Sequence, residues 1–568
     1  VPDLRHVLIL CGSVLTLCDA GRVAADEPAD GGLAPTVHAA LPSDPSALWL
    51  APRPADRTPA LATLARGISL YNRAQYTDAV TQLTARSSLR ADVASYAAYY
   101  AARAEMKLGR HASAGRRFAS VSAQSSNGYL SEAAAVGEAE AAEARGRYAA
   151  AQAIYERVLA QSPLAPDVLW LRLAKVHLAR HQPLRAIDAF RRLHDEFPLS
   201  AFNAEAAREL VRLQALESST LSGVDLVSSR ARADRLVVAK RYREARAVYL
   251  EIEKHTRGAE LDDVELQRGI VDYFMKDYAA ARRLLRAHRD HPAHQPAARF
   301  YDLMAARALD AVAEFELLAR DFVDRFGETT WAEEVFDALA THYIRQNGDQ
   351  EADTVFRRLL TSFPNGRFAA RAAWKVGWRA YRLGDAGGAA HVFERAAVAF
   401  PRSDYRPAYL YWAARAHESR GDRAAAVFRY ALTETDYRHS YYGRLASTAL
   451  ASTGVPVPAA LTTAATKTVS DESIAVVPTG RLIRSLLAAG LYEDAHNEIR
   501  YARHRWGDDP MLQATLGWLH HARGDLLAGA NVTRRAYPHY VTARGDRLPR
   551  EMLAVMFPVG YWNLIRQH

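Results

Sequence analysis

Cysteine is nearly absent. The chain holds two, Cys11 and Cys18, both inside its first apolar stretch. Removal of that stretch would leave no thiol, which excludes disulfides and cysteine metal sites from the rest and suits an oxidising compartment. The same apolar run, Val7 to Leu17, is too short to span a bilayer as a helix, so the chain is peripheral to a membrane at most. There is no glycine-rich phosphate loop, no Gly-x-Ser-x-Gly elbow and no His-Glu-x-x-His string. No Lys/Arg run is interleaved with aromatics, which argues against nucleic acid as a partner. Charge of one sign is also in short supply: 73 basic against 64 acidic residues leave a net +9, a mixed surface with at most a mild affinity for a polyanion such as a cell-wall polymer. Runs of β-branched residues are few. What remains is rich in Ala, Leu, Arg and Glu and 49% hydrophobic, a composition that favours helix nearly throughout.

At the N-terminus, Arg5 and His6 precede the apolar run, and Val23-Ala24-Ala25 supply small residues where a signal peptidase reads. The reading is a cleaved secretory signal over 1–25, with Asp26 the first mature residue and the periplasm the destination. Leu15-Thr16-Leu17-Cys18 gives a lipoprotein alternative, disfavoured by the bulk of Leu17. Residues 26–58 are rich in Pro, Ala, Asp and Gly without helical period and read as a flexible leader.

From Thr58 onward a pattern recurs. Trp374, Gly377, Tyr381, Gly384-Asp385, Ala389, Phe393 and Pro401 are followed by Trp412, Ala416, Gly421-Asp422, Ala424 and Phe428. An alanine with a large residue four positions later marks the second helix of each unit, as in Ala79/Leu83, Ala114/Phe118, Ala151/Tyr155, Ala186/Phe190, Ala245/Tyr249, Ala281/Leu285, Ala352/Phe356 and Ala495/Ile499. Small-then-large at that spacing lets two helices approach while the large side chain fills the groove. The steps 79→114→151→186 are 35, 37 and 35 residues, close to the tetratricopeptide period; 281→352 spans two repeats, with a degenerate one near Phe315. Tyr76, Tyr148, Tyr242 and Tyr278, each three residues before its alanine, read as packing residues rather than a sugar-stacking stripe. The predicted fold is an all-α, right-handed α-superhelix of tetratricopeptide-like helix pairs over 59–455. A linker over 456–479 follows, then a helical linker domain over 480–568.

Three strings carry a family resemblance: Tyr411-Trp412-Ala413-Ala414-Arg415, Ser440-Tyr441-Tyr442-Gly443-Arg444-Leu445-Ala446, and the closing Phe557-Pro558-Val559-Gly560-Tyr561-Trp562-Asn563-Leu564-Ile565. In these the chain resembles the soluble lytic murein transglycosylases, over most of its length past the signal. That resemblance implies a periplasmic superhelix positioning peptidoglycan strands or periplasmic proteins for a lysozyme-like domain. The family's catalytic Glu-Ser pair lies before a Gly-Leu-Met-Gln string; Glu217-Ser218, Glu418-Ser419 and Glu472-Ser473 have no such string after them. No catalytic residue is therefore assigned, and the chain by itself is expected to be inactive on the wall. The alternative is a free-standing periplasmic tetratricopeptide scaffold for protein–protein interaction.

Other chemistry is weighed residue by residue. His288, His291 and His294 form a His-x-x-His-x-x-His run around Pro292, which breaks any helix that would align them. The run reads as a solvated inter-repeat loop, and no metal ligand is assigned. Glu132, Glu138, Glu140 and Glu143 read as the solvated face of an amphipathic helix. No residue calls for a cofactor. The apolar, aromatic segment from Leu548 to His568 is expected to want a partner surface.

Overall fold

A computed structural model describes residues 32–37, 41, 44, 47–85, 89–124, 128–216, 225–454, 461, 477–542, 545, 547–560 and 562–567. The expected signal over 1–25, residues 217–224 and most of the linker over 456–479 lie outside them. The described chain is all-α, with no strand among the described residues. None of its helices is long and apolar enough to cross a membrane.

The residues group into two compact units, each described by itself. One unit opens with α1 (Pro59–Asn72), α2 (Tyr76–Thr84), α3 (Ala91–Lys107), α4 (His111–Gln124) and α5 (Tyr129–Glu143). It continues with α6 (Tyr148–Leu159), α7 (Pro166–Ala179), α8 (Pro183–Glu196) and α9 (Asn203–Leu216). The other holds α10 (Leu226–Val238), α11 (Tyr242–Glu253), α12 (Ala259–Phe274), α13 (Tyr278–Ala287), α14 (Gln295–Ala308) and α15 (Val312–Phe326). After these come α16 (Ala332–Arg345), α17 (Asp349–Ser362), α18 (Ala369–Arg382), α19 (Ala386–Ala399), α20 (Arg406–Ser419), α21 (Arg423–Tyr437) and α22 (Tyr441–Thr453). The chain then returns to the first unit with α23 (Gly480–Ala488), α24 (Tyr492–Trp506), α25 (Pro510–Ala522), α26 (Leu526–Ala536), α27 (Arg550–Met556) and α28 (Trp562–Gln567). Within each unit most helices pack chiefly on the one before and the one after. The units are stacks of tetratricopeptide-like helix pairs.

The turn inside each pair is built one way. A residue with positive φ stops the first helix: Ala74, Gly109, Gly146, His181, Lys240, Lys276, Asp310, Asn347, Gly384, Gly421, Gly490 and Gly524. Glycine takes that left-handed conformation without strain, and the other residues are held in it by the packing around them. Where an aspartate follows, it caps the second helix: Asp277 Oδ1 accepts from Ala280 N, Asp385 Oδ1 from Gly388 N, Asp422 Oδ1 from Ala425 N and Asp525 Oδ1 from Ala528 N. The recurrent Gly-Asp dipeptide is thus a stop followed by a start.

Packing within a pair follows from one distance along the chain. In most pairs the large residue of the second helix lies against a small residue sixteen positions earlier on the first helix; Ile499, opposite Ile483, is an exception. Gly67 meets Leu83, Gly269 meets Leu285 and Gly377 meets Phe393. Alanine plays the part in Ala102/Phe118, Ala139/Tyr155, Ala174/Phe190, Ala233/Tyr249 and Ala340/Phe356, all buried together in their core clusters. Two departures from the sequence reading follow from this rule. The pair expected at Ala424/Phe428 is displaced: Ala424 is exposed and Phe428 half-buried. Ala426 and Tyr430 are buried instead, against Ala414. Sixteen positions before Phe428 stands Trp412, too bulky to admit it, and the chain slides two residues to reach a small partner. At the degenerate repeat the sizes are exchanged, with Leu303 on the first helix and Ala319 on the second, both buried beside Phe315.

Parts of the stretch read as a flexible leader are packed. In one unit Leu33 is buried, and Arg406, itself buried, donates to Ala34 O at 2.7 Å and to Ala397 O at 2.9 Å while pairing with Asp436. Asp436 Oδ2 in turn accepts from Thr36 N at 2.8 Å and from Thr36 Oγ1 at 2.9 Å. In the other unit Leu48, Trp49 and Leu50 are buried. There Leu50 N donates to Thr515 Oγ1 at 2.8 Å, and Tyr537 Oη donates to Leu48 O at 2.7 Å. Apolar side chains with a satisfied backbone outweigh the disorder that the Pro/Ala content suggested.

In that unit α23 packs on α3 and α24 on α5, so the C-terminal pairs extend the same core as the first hairpins. Glu498 of α24, fully buried, accepts from Tyr96 Oη at 2.7 Å and from Tyr129 N and Leu130 N at 3.0 and 3.2 Å. The last two are orphan donors at the start of α5, and the carboxylate satisfies them.

The small-residue rule is testable at Gly377, where an added Cβ would sit 2.5 Å from Phe393 Cε1. Gly377→Ala is expected to lose about 1–3 kcal/mol of stability through overpacking, and Phe393→Leu in the same chain to recover part of it. Denaturant unfolding of the two single variants and the double variant measures the coupling.

Candidate partner-binding surface

Three successive first-position helices of one unit carry a continuous run of aromatic rings. On α18, Trp374, Trp378 and Tyr381 stand four and three residues apart, which places them on one stripe of the helix. Trp374 stacks on Trp378 at 5.6 Å between ring centroids, and Trp378 stacks on Tyr381 at 5.9 Å. From α20, Trp412 meets Trp378 edge-on at 4.8 Å and Tyr381 at 5.0 Å. Tyr411 then touches Trp412 at 5.5 Å and Tyr442 of α22 at 5.5 Å. Tyr441, 71% exposed, ends the run 5.2 Å from Tyr442. Trp374, Trp378, Tyr381, Trp412 and Tyr442 are half-buried, with part of each ring open to solvent. Trp412 Nε1 is buried with no acceptor among the described residues, a donor that the fold itself leaves unused.

Beside Trp378 lies a cavity of about 260 Å³ between α17 and α18, lined by Phe356, Asp349, Asp353, Lys375, Arg379 and Arg382 among others. Arg379 and Arg382 share the single carboxylate of Asp349 at 3.8 and 3.9 Å. Asp353 is occupied by Arg357 at 2.8 Å. Three cations of the lining therefore face two carboxylates, and a negatively charged group beside the tryptophan would complete the balance.

Trp374, Tyr381, Trp412 and the Tyr441-Tyr442 pair stand in the repeat and resemblance strings; the belt they form, and the place of Trp378 and its basic neighbours in it, come from the fold. The signal was present in the four-and-three spacing of aromatics on α18. The tyrosines expected to pack at the turns do so: Tyr76 contacts Tyr71 at 5.7 Å, Tyr242 stacks on Phe274 at 5.3 Å and Tyr278 contacts Tyr273 at 5.6 Å.

In the other unit a cavity of about 670 Å³ is lined by Leu50, Leu61, Val93, Val477 and Met511, with Asp44, Asp56, Arg90, Arg481 and Arg484. Burial and the nearby Arg53 hold Arg484 below its ordinary value, and it donates to Trp49 O at 3.3 Å. Ser485 Oγ is turned back onto Arg481 O at 3.0 Å. This lining has no paired nucleophile and base.

A glycosidase site needs a desolvated carboxylate beside a sugar cleft. Asp494 meets the first condition: burial raises it to about 6, against the hydrogen bond it accepts from Tyr100 Oη at 3.0 Å. Burial likewise raises Glu498, against three donors that pull the other way. Neither lines a cavity described above; both sit in helix packing. Glu132, Glu140 and Glu143 are half-buried and partnered rather than solvated. Glu132 accepts from Leu164 N at 3.1 Å, Glu140 pairs with Arg172 at 2.8 Å and Glu143 accepts from Tyr155 Oη. Each partner comes from a neighbouring helix or turn, which a single-helix pattern does not reveal. Of the three Glu-Ser pairs, Glu217-Ser218 and Glu472-Ser473 lie outside the described residues. Glu418 is exposed at the end of α20 and accepts from Tyr430 Oη at 3.1 Å, while Ser419 Oγ donates to Ala416 O at 2.8 Å. The histidine run is not solvated either: His288 and His294 are buried.

Because Asp494 binds its proton more tightly when folded, the folded state holds more protons between its ordinary value of 3.8 and about 6. Stability is therefore expected to fall as pH rises through that window and to level off above it. Asp494→Asn removes that slope. Melting temperatures of both chains across the window decide the matter; parallel profiles would mean that Asp494 is not the titrating group.

No family model and no curated protein matches the chain. Among solved structures, yeast Tom70 is 12% identical, with 84% of this chain and 97% of that one covered at a TM-score of 0.26. Naa15/Naa10 bound to HypK-THB is 11% identical, with 83% and 80% covered at 0.31. A tetratricopeptide repeat protein from Parabacteroides merdae is 11% identical, with 50% and 97% covered at 0.23. Likenesses this distant carry no functional argument, and the helix-pair architecture of this chain rests on its own turns and contacts.

Proposed function

We propose that the chain is a scaffold that holds a protein partner, and that the partner is an extended segment bearing acidic and aromatic or aliphatic side chains. The observation that carries this is the belt from Trp374 to Tyr442 together with the basic cavity at Lys375, Arg379 and Arg382. Half-buried aromatics give a rigid apolar platform that costs little side-chain entropy on binding. Adjacent arginines recognise carboxylates by charge-assisted hydrogen bonds. The test is fluorescence anisotropy with a labelled peptide alternating Glu and Phe, against the same peptide with Lys for Glu. Tight binding of the acidic peptide alone is expected, with a loss of about tenfold or more in Trp378→Ala and in Arg379→Glu/Arg382→Glu. Equal binding of the two peptides would remove the proposal.

A second reading is association with a peptidoglycan lytic transglycosylase, working outside the cytoplasmic membrane on glycan strands. It is favoured by two of the strings that resemble that family, Tyr411–Arg415 and Ser440–Ala446, which converge where Tyr411 meets Tyr442 at 5.5 Å. Aromatic platforms of this kind also stack on sugar rings. On this reading purified sacculi retain the chain at low ionic strength and release it as salt is raised. Failure of sacculi to retain it at any salt concentration would count against the wall.

A further inference from the structure

We propose that Asp262, Glu265 and His288, with His291 as a fourth donor, form a binding site for a divalent transition-metal ion of the zinc class. The four residues come from two places in one unit. Asp262 and Glu265 lie three residues apart near the start of α12, on one face of the helix. His288 follows the last residue of α13, and His291 lies in the loop before α14.

The donor atoms are already gathered. One ligand atom each from Asp262, Glu265 and His288 lies within 4.8 Å of the other two. Glu265 Oε2 stands 3.3 Å from His288 Nε2, and Asp262 Oδ2 stands 3.8 Å from His291 Nε2. A tetrahedral zinc ion with bonds of about 2.0–2.2 Å sets its donors about 3.3–3.6 Å apart, a spacing that Glu265 and His288 already have and that Asp262 and His291 approach.

The second observation is an unused donor. His288 is 4% exposed, and its Nε2 has no hydrogen-bond partner even though a carboxylate oxygen lies 3.3 Å away. A buried imidazole nitrogen turned toward carboxylates without bonding to them is arranged as a metal ligand is. His294 supports the arrangement and stays outside it. Its Nε2 is taken by Asp263 Oδ1 at 2.6 Å, its ring stacks on His291 at 4.1 Å, and it meets His288 edge-on at 5.8 Å. Both ligand rings are thereby held in orientation, as outer partners of metal sites do. The mixture of imidazole and carboxylate favours zinc and its neighbours over calcium or magnesium.

The position suggests a structural role. At ten residues α13 is the shortest second-position helix in its unit among those described, and it buries only Ala280, Ala281 and Leu285. An ion joining the start of α12 to the loop after α13 would brace the short second helix against the first.

The test uses the full chain stripped with EDTA. Titration with zinc chloride by calorimetry is expected to show one ion bound per chain and a rise in melting temperature that EDTA reverses. Asp262 and Glu265 are half-exposed, and Asp262→Asn and Glu265→Gln change no volume; each is expected to weaken uptake by about tenfold or more at unchanged helicity. Absence of uptake by the unaltered chain overturns the site, as does equal uptake by both variants, which would place the ion on other histidines. Should either variant fail to fold, the Co²⁺ form of the unaltered chain decides. The intense visible absorption of a four-coordinate ion supports the site, and the faint spectrum of a six-coordinate one overturns it.

Discussion

The architecture depends on a steric constraint: in most pairs the large residue of the second helix lies against a small residue sixteen positions earlier on the first. Where the small residue is glycine, as at Gly377 opposite Phe393, the helices come so close that even a methyl group would clash. The constraint sets the crossing of each pair, and the pair then presents its remaining faces to the next. Its strength shows where the sequence resists it. The chain shifts the pairing by two residues to put Tyr430 rather than Phe428 against an alanine, and it exchanges the sizes at Leu303 and Ala319. In these pairs complementary size is retained, whichever helix supplies the larger partner; Ile483 and Ile499 meet as equals.

Polar groups fill a different need. Stacked helices bury their own ends, and each buried end carries unsatisfied backbone donors or acceptors. Glu498 satisfies the start of α5, and Arg406 satisfies carbonyl groups of residues 34 and 397 while neutralising Asp436. Such buried charges add little net stability, because removing them from water costs about as much as their pairing returns. Their effect is on specificity: they fix which segment lies beside which helix, since no other neighbour would leave the charges paired.

The functional features are of a third kind, groups that the fold positions and does not use. The aromatic belt on α18, α20 and α22 keeps part of each ring in water, and the indole of Trp412 keeps a donor without an acceptor. The cavity beside Trp378 holds more cations than carboxylates to balance them. On the proposed reading, a bound segment covers the exposed parts of the rings and balances the cations.

By itself the sequence determined the class of fold, the hairpin period and the position of the turns, because these depend on contacts within some forty residues. Alanine and a large residue four apart, a left-handed stop and an aspartate cap are all local. Tertiary structure decided what local pattern cannot reach. It buried Leu48–Leu50 against α25 to α27, which lie more than four hundred residues away in the chain, so composition alone reads that stretch as a leader. It brought His288 and His291 to Asp262 and Glu265 across a hairpin, where spacing around Pro292 had indicated a solvated loop. It also joined rings of three helices into one surface that each helix displays only in part. Chemistry that needs convergence from separate helices leaves no mark on any one of them, and that is why the candidate sites emerged only from the fold.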